Sequence, residues 1–181
     1  MERTSDKKRE LYLLLLLFVA GGVFGFLYEE LFYLIDLGHL IKRGSTFGPW
    51  IQIYGFGAVF IAVTTKRLRD RPWLVFLASG LVCGVLEYFT GLVFDRCFHI
   101  RSWDYNVEIW NWGNIDGYVC ARSVLFFALS GLFLQYVLRP LLERYADWVK
   151  PKTLALTAVI PAAVCILDMI VSTLYDTFFR T

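Results

Sequence analysis

LYLLLLLFVAGGVFGFLYEE, residues 11–30, decides the fold, because an uncharged and mostly apolar run of 18 residues ends at two glutamates. A bilayer core of about 30 Å needs about 20 apolar residues per helix, and apolar sequence continues to Ile35. The basic residues at 7–9 would also suit a signal peptide. The apolar run passes Gly25 without a polar mature start, however, so we predict a first transmembrane helix.

The rest of the chain has the same character. With 57% hydrophobic and 18% aromatic residues, it is too apolar for an ordinary soluble domain. We predict an all-α polytopic membrane protein, a single integral membrane domain over residues 1–181 built as a bundle of five transmembrane helices. The predicted spans are residues 11–35, 49–65, 73–94, 118–142 and 153–175. The second is the shortest, and Pro49 is expected in its first helical turn.

Lysine and arginine are distributed unevenly between the two sides of these spans. Twelve lie in the segments at 3–9, 66–71 and 139–152, and five, including Arg180, lie in the segments on the other side. Because cytoplasmic segments are enriched in Lys and Arg, we predict the amino terminus inside and the carboxyl terminus outside. The net charge of +2 then reflects topology, and we do not expect nucleic-acid binding.

Charged side chains recur near the predicted outer ends of the spans. At 1.5 Å per residue, Glu29 lies roughly 27 Å along the first helix and Glu87 roughly 21 Å along the third. Arg122 and Asp168 fall at the same predicted level, and Tyr54 joins them. Since charges within the hydrocarbon often mark function, we predict a polar site open to the outer face.

The spacing of small residues indicates which way the third helix faces. Gly80, Gly84, Glu87 and Gly91 share one helical face, which predicts that the carboxylate points into the bundle. An excess of carboxylates over Arg122 would suit a cationic or amine-bearing ligand, a metal ion or a proton relay. Alternatively, the arginine pairs with one acid and the remaining acids are protonated or reach the interface.

The long segment at 95–117 carries three tryptophans and several polar residues. The tryptophans, among them Trp103, and Tyr105 suggest an interfacial segment or a lid over the helix ends, whereas an aromatic belt is the simpler alternative for the tryptophans. Asp104 and Asn114 lie in the same segment. We predict no metal site and no cofactor, because His39 and His99 lack any metal-ligand spacing. Whether Cys97 and Cys120 pair is left open. The chain has no Walker-type phosphate loop, so an ATP-driven role would need another subunit.

Several motifs together resemble a known family. They are Gly48-Pro49 leading to Ile53-Tyr54-Gly55-Phe56-Gly57, Glu87 with Thr90-Gly91, Trp103-Asp104-Tyr105, and Asn114 with Gly117, Cys120 and Ser123. This combination resembles the CmpB-like bacterial membrane proteins, described as putative ABC-transporter type IV, over about residues 21–131. Gln52 and Asn106 depart from the family pattern. The resemblance implies a small, multi-pass protein of the bacterial inner membrane with a role in transport.

Three hypotheses follow. The first is a substrate-binding or permease component of a transporter, and the second is a membrane enzyme acting on a lipid or cell-envelope precursor at the outer leaflet. The third is a structural or regulatory membrane partner. Expected partners are membrane lipid, an ATPase or other transporter subunit, and a second copy of the chain. The predicted substrate-binding residues are Glu29, Glu30, Tyr54, Glu87, Trp103, Asp104, Asn114, Arg122 and Asp168.

Overall fold

Helices account for most of the protein, whose computed structural model describes residues 2–179 and the side chains of residues 6–178. No strand occurs within residues 2–179, so the all-α prediction is confirmed. Arg180, which the charge count uses, lies outside the described residues. The helices are α1 (Glu2–Leu37), α2 (Gln52–Thr64), α3 (Pro72–Phe98), α4 (Ala121–Phe133), α5 (Arg139–Trp148) and α6 (Pro151–Phe179).

Four helical segments of the described chain are long and apolar enough to cross a membrane. They are Asp6–Leu37, Pro72–Phe98, Ala121–Trp148 and Pro151–Phe178. Helix α2 has only 13 residues, or about 20 Å of helix, against a bilayer core of about 30 Å. The fifth span over residues 49–65 therefore stays a prediction.

The start of α2 differs from the prediction. Pro49 lies in the preceding loop, and the helix begins at Gln52, so the placement of the proline in the first helical turn was wrong. The amide of Ile51 donates a hydrogen bond of 3.0 Å to the carbonyl of Gly22 in α1. This hydrogen bond holds the chain against α1 one residue before α2 begins.

The helix that contains the fourth predicted span continues beyond residue 142. Helix α4 continues through a π-helical turn, Leu134–Leu138, directly into α5, which ends at Trp148. Pro140 stands at the start of α5; its ring would clash with the carbonyl four residues earlier in a regular α-helix, and it has no N–H to donate. A single wide π turn is a known way to absorb such a mismatch without ending the helix.

Two compact units make up the chain. The first comprises Met1–Val59 with Leu138–Thr181, and the second comprises Phe60–Val137. In the first unit, Leu13 of α1, Ala146 of α5 and Leu154 of α6 form a buried apolar cluster. Also there, Gly25 of α1 lies so close to the ring of Tyr54 that a Cβ would overlap the ring.

In the second unit, α3 packs against α4. The predicted small-residue face of α3 is the buried one, since Gly80, Gly84, Glu87 and Gly91 are all buried. Helix α4 begins after Cys120, whose extended backbone forms its N-cap and whose side chain, with that of Ser123, makes a capping box. The helix start therefore sets Ser123 on the first turn, facing α3.

Candidate binding site

Glu87 is the most buried acid of the second unit, with 5% of its surface exposed. Its two carboxylate oxygens accept hydrogen bonds from different elements: the Tyr105 hydroxyl donates to Oε1 at 2.6 Å, and the Ser123 hydroxyl donates to Oε2 at 2.7 Å. Distances of about 2.5 to 2.7 Å are typical of a hydroxyl bonded to a charged carboxylate. A donor on each oxygen suits the ionised form of the acid, which can only accept.

The loop between α3 and α4 folds back along α3 to reach this acid. Glu87 lies 11 residues before the end of α3 at Phe98, or roughly 16 Å along the helix axis. Trp103 packs beside Gly91, where an added Cβ would lie 3.1 Å from the indole. Tyr105 is buried, and its burial, followed by the charge and hydrogen bond of Glu87, raises its pKa well above the usual value. Its hydroxyl therefore stays protonated and keeps donating.

Arg122 lies next to this cluster but pairs with a different acid. The predicted fourth span begins at residue 118, whereas α4 begins at Ala121, so Arg122 stands in the first helical turn. Its Nη2 lies 2.6 Å from Oε2 of Glu108, and the two side chains are only 13% and 6% exposed. The guanidinium also lies 5.2 Å from the centre of the Tyr105 ring. Tyr105 thus contacts both Glu87 and Arg122.

Trp103, Asp104 and Asn114 hold the loop together. Trp103 Nε1 donates to the carbonyl of Tyr118 at 2.9 Å. Asp104 Oδ1 accepts from Arg101 at 3.1 Å and from the backbone and side chain of Asn106 at 2.9 and 2.7 Å. Asn114 donates to the Asn106 side chain and accepts from the Gly117 amide, both at 2.8 Å. Each of the three predicted binding residues is engaged within the loop itself.

The charge state of Asp104 follows from these contacts. Burial would raise the pKa of its carboxyl group, but the hydrogen bonds from Asn106 and the Arg101 guanidinium together lower it. Gly117 closes the same turn with a φ of +77°, and a Cβ there would collide with the Arg101, Asp104 and Asn106 side chains. Only glycine combines that backbone conformation with that space.

The predicted acids of α1, Glu29 and Glu30, bind a basic residue that was not among the predicted binding residues. Arg43, from the loop between α1 and α2, places its Nε 3.0 Å from Glu29 Oε2 and donates its backbone amide to Glu30 Oε1 at 2.9 Å. Its guanidinium lies 4.0 Å from the centre of the Tyr33 ring. The Tyr54 hydroxyl donates to the other oxygen of Glu29 at 3.0 Å. Glu29 and Tyr54, two of the predicted site residues, are thus in contact.

Asp168, on α6, accepts two backbone hydrogen bonds from the same loop. The amide of Phe47 donates to Oδ1 at 3.2 Å, and the amide of Gly48 donates to Oδ2 at 2.9 Å. The Phe47 ring also packs edge-on against Tyr175, with 5.7 Å between centroids. In the first unit, therefore, the predicted acids fasten the loop at 38–51 to two helices.

An open apolar groove of about 380 Å³ runs between α3 and α4 in the second unit. Leu77 and Leu81 line one wall and Leu125 the other, while Ile115 and Cys120 border it near the loop. Cys120 is one helical turn before Ser123, so the groove begins near the Glu87 cluster. Cys97 and Cys120 are both free thiols. Within the described residues, no three His, Cys, Asp or Glu side chains are placed to hold a metal ion together.

The predicted set of binding residues left out four residues that complete these contacts, namely Arg43, Tyr105, Glu108 and Ser123. Tyr105 belongs to the Trp-Asp-Tyr motif, and Ser123 stands three residues after the helix N-cap. The sequence therefore contained a pattern that could have identified both as site residues. Glu108 and Arg43 carried no motif. That all nine predicted residues form one site stays a prediction.

A family model supports the assignment that the motifs suggest. It covers residues 16–173 and is described as putative ABC-transporter type IV. No curated protein and no solved structure matches the chain. Because the matched region is far more than half of the 181 residues, the chain belongs to the putative ABC-transporter type IV family.

Proposed function

We propose that this protein is a substrate-binding or permease component of an ABC-type transporter and works with a separate ATPase subunit. The family and the four membrane-length helices support a membrane component of a transporter. The chain itself has no Walker-type phosphate loop, so the energy would come from a partner. We further propose five spans in the bacterial inner membrane, with the amino terminus in the cytoplasm.

The observation that carries this proposal is the buried carboxylate of Glu87. It lies on a membrane-length helix, only 5% exposed, with a tyrosine and a serine hydroxyl bonded to its two oxygens. An ionisable group in a membrane segment is expensive and is retained mainly where it serves a pathway or a ligand. Tyr105 belongs to a loop, so movement of that loop would uncover the acid.

The cluster favours a ligand that donates hydrogen bonds. Glu87 and Glu108 provide two carboxylates, against one guanidinium from Arg122. A primary amine or other cationic group could replace the two hydroxyl donors of Glu87 and balance the extra negative charge. Recognition by Glu29, Glu30, Tyr54 and Asp168 in the first unit stays a prediction.

Purification of the tagged protein from its native membrane tests the transporter role. We expect an ATPase subunit to co-purify and amine-bearing ligands to raise the thermal stability of the complex. Glu87→Gln should abolish the ligand-induced stabilisation while expression and ATPase association are retained. Asp36→Asn, which removes an acid of α1 outside both clusters, is the matched control. Reproducible absence of an ATPase together with identical ligand responses of the two variants would exclude the proposed role.

The apolar groove supports a second candidate, a membrane enzyme acting on a lipid or cell-envelope precursor. The groove would hold an acyl chain near Cys120, and Glu87 would act as a general base within reach of the polar end. Glu108 already pairs with Arg122, so an anionic group would have to compete for that guanidinium. Loss of lipid turnover in Glu87→Gln at normal expression would favour this candidate, and unchanged turnover would remove it.

A further inference from the structure

The first unit presents a cluster of exposed basic side chains at one end, where three helices meet. The buried contact of Leu13, Ala146 and Leu154 brings the beginnings of α1 and α6 together beside α5. The membrane-length segments Asp6–Leu37 and Pro151–Phe178 both start here. Residues around this contact therefore lie where the apolar parts of two spans begin.

Two arginines form ion pairs with acidic side chains at this end. Arg139, whose side chain is only 3% exposed, bonds both oxygens of Glu10 at 2.8 and 3.1 Å and Glu143 at 3.0 Å. Arg9 bonds Asp147 at 2.6 Å. The two arginines thus bind three of the four acids at positions 6–10 and 139–152, and these segments carry seven basic side chains against four acidic ones.

Five basic side chains remain for an external partner. All five are exposed, and none forms an ion pair or hydrogen bond with the side chains that the structure describes. We name this set the basic rim: Lys7, Lys8, Arg144, Lys150 and Lys152. Between its members, Trp148 ends α5 with 84% of its surface exposed.

We propose that the basic rim binds the phosphate head groups of anionic membrane lipids. The five cations complement a negatively charged membrane surface, and clusters of Lys and Arg next to a span are typical of anionic-lipid recognition. An exposed tryptophan at the same level is the side chain that prefers the membrane interface. An acidic protein surface would match the charge but would leave the exposed indole beside the span ends unexplained. The inference does not depend on the proposed transport role.

Native mass spectrometry of the purified full-length chain tests the proposal. The protein would be released from micelles containing phosphatidylglycerol or phosphatidylcholine of the same chain length, and the bound lipids would be counted. We expect selective retention of phosphatidylglycerol that weakens with added salt. The rim variant Arg144→Gln/Lys150→Gln/Lys152→Gln should weaken retention by about a hundredfold at low salt, from about fivefold per basic side chain.

The control variant Lys42→Gln/Arg96→Gln removes two exposed basic side chains from segments that the charge distribution predicts on the opposite side of the membrane. We expect it to keep the phosphatidylglycerol selectivity, and both variants should unfold at the wild-type temperature in neutral detergent. Equal loss in both variants would show a net-charge effect and overturn the proposal. Undiminished retention of phosphatidylglycerol by the rim variant would overturn it as well.

Discussion

Several buried charged side chains in this protein pair with side chains from another part of the chain. Glu108 and Arg122 show this most clearly, because both side chains are largely buried and lie 2.6 Å apart. Removing one member of a buried pair leaves an uncompensated charge, whereas removing both need not destabilise the fold. Each member of the pair therefore stabilises the fold only while the other is present.

For this pair, we expect Arg122→Met to lower the free energy of unfolding by about 3 to 5 kcal/mol, because the buried Glu108 would lose the guanidinium that balances its charge. The double variant Arg122→Met/Glu108→Leu should recover most of that loss. Unfolding in mixed micelles, followed by SDS titration, measures both. A double variant as unstable as the single one would contradict this explanation.

Asp104 makes the loop sensitive to acid. Its pKa is lowered below the usual 3.8 by Asn106 and Arg101, so its stabilising contribution is complete above that value and is lost as the pH falls through the lowered pKa. We expect the loop tryptophan fluorescence to change only in this acid range. In Asp104→Asn the transition should be absent. A wild-type transition near neutral pH would rule out Asp104 as its origin.

At the scale of elements, acidic side chains on helices bind neighbouring loops. The charge pattern of the sequence had predicted that these acids bind a ligand. Asp168 is 121 and 120 positions from the two amides that it binds, those of Phe47 and Gly48. Glu29 and Glu30 hold Arg43 of the same loop. These contacts give the acids of the first unit a structural role, whatever further role they have.

The Asp168 contact predicts a local effect on exchange. Hydrogen bonds to a charged acceptor contribute about 1.5 to 3 kcal/mol, so Asp168→Asn should speed hydrogen exchange of the Phe47 and Gly48 amides at least about tenfold. Hydrogen exchange with peptide-level mass spectrometry would detect the change. Asp36→Asn should leave the peptide unaffected. Unchanged protection in Asp168→Asn would show that the loop is held by other contacts.

At the scale of the whole molecule, the number of spans depends on whether α2 crosses the membrane. The other four segments satisfy the length requirement outright, whereas 13 residues of helix cover about 20 Å. Residues outside α2, which form bends before it and a turn after it, would have to complete a crossing. With five spans the loops before and after α2 lie on opposite sides, and with four they lie on one side.

Cysteine labelling resolves this. In a Cys97→Ser background, we expect an impermeant maleimide to label Ser45→Cys in intact cells and to label Lys66→Cys only after permeabilisation, because five spans put these positions on opposite faces. Both positions are exposed. If the two positions are labelled under the same condition, α2 does not cross. Cys97 itself, exposed at the end of α3, should be labelled from outside in the native chain.

Some features were predictable from local pattern. The spacing of Gly80, Gly84 and Glu87 identified the buried face of α3, because helical periodicity depends only on neighbouring residues. The π turn before Pro140 was not predicted, since a proline can end, kink or widen a helix depending on its packing. The Pro49 placement failed because the contact of Ile51 with α1 is non-local.

Apolar length and periodicity by themselves determined that this is an all-helical membrane protein, and its motifs identified the family. Only the tertiary structure decided which partner each charged side chain binds. Glu87 joins Ser123 across 36 positions, Arg122 pairs with Glu108, and Asp168 holds a loop more than a hundred positions away. Hydrophobic burial is encoded residue by residue, whereas the partner of a buried charge depends on how loops close between distant segments.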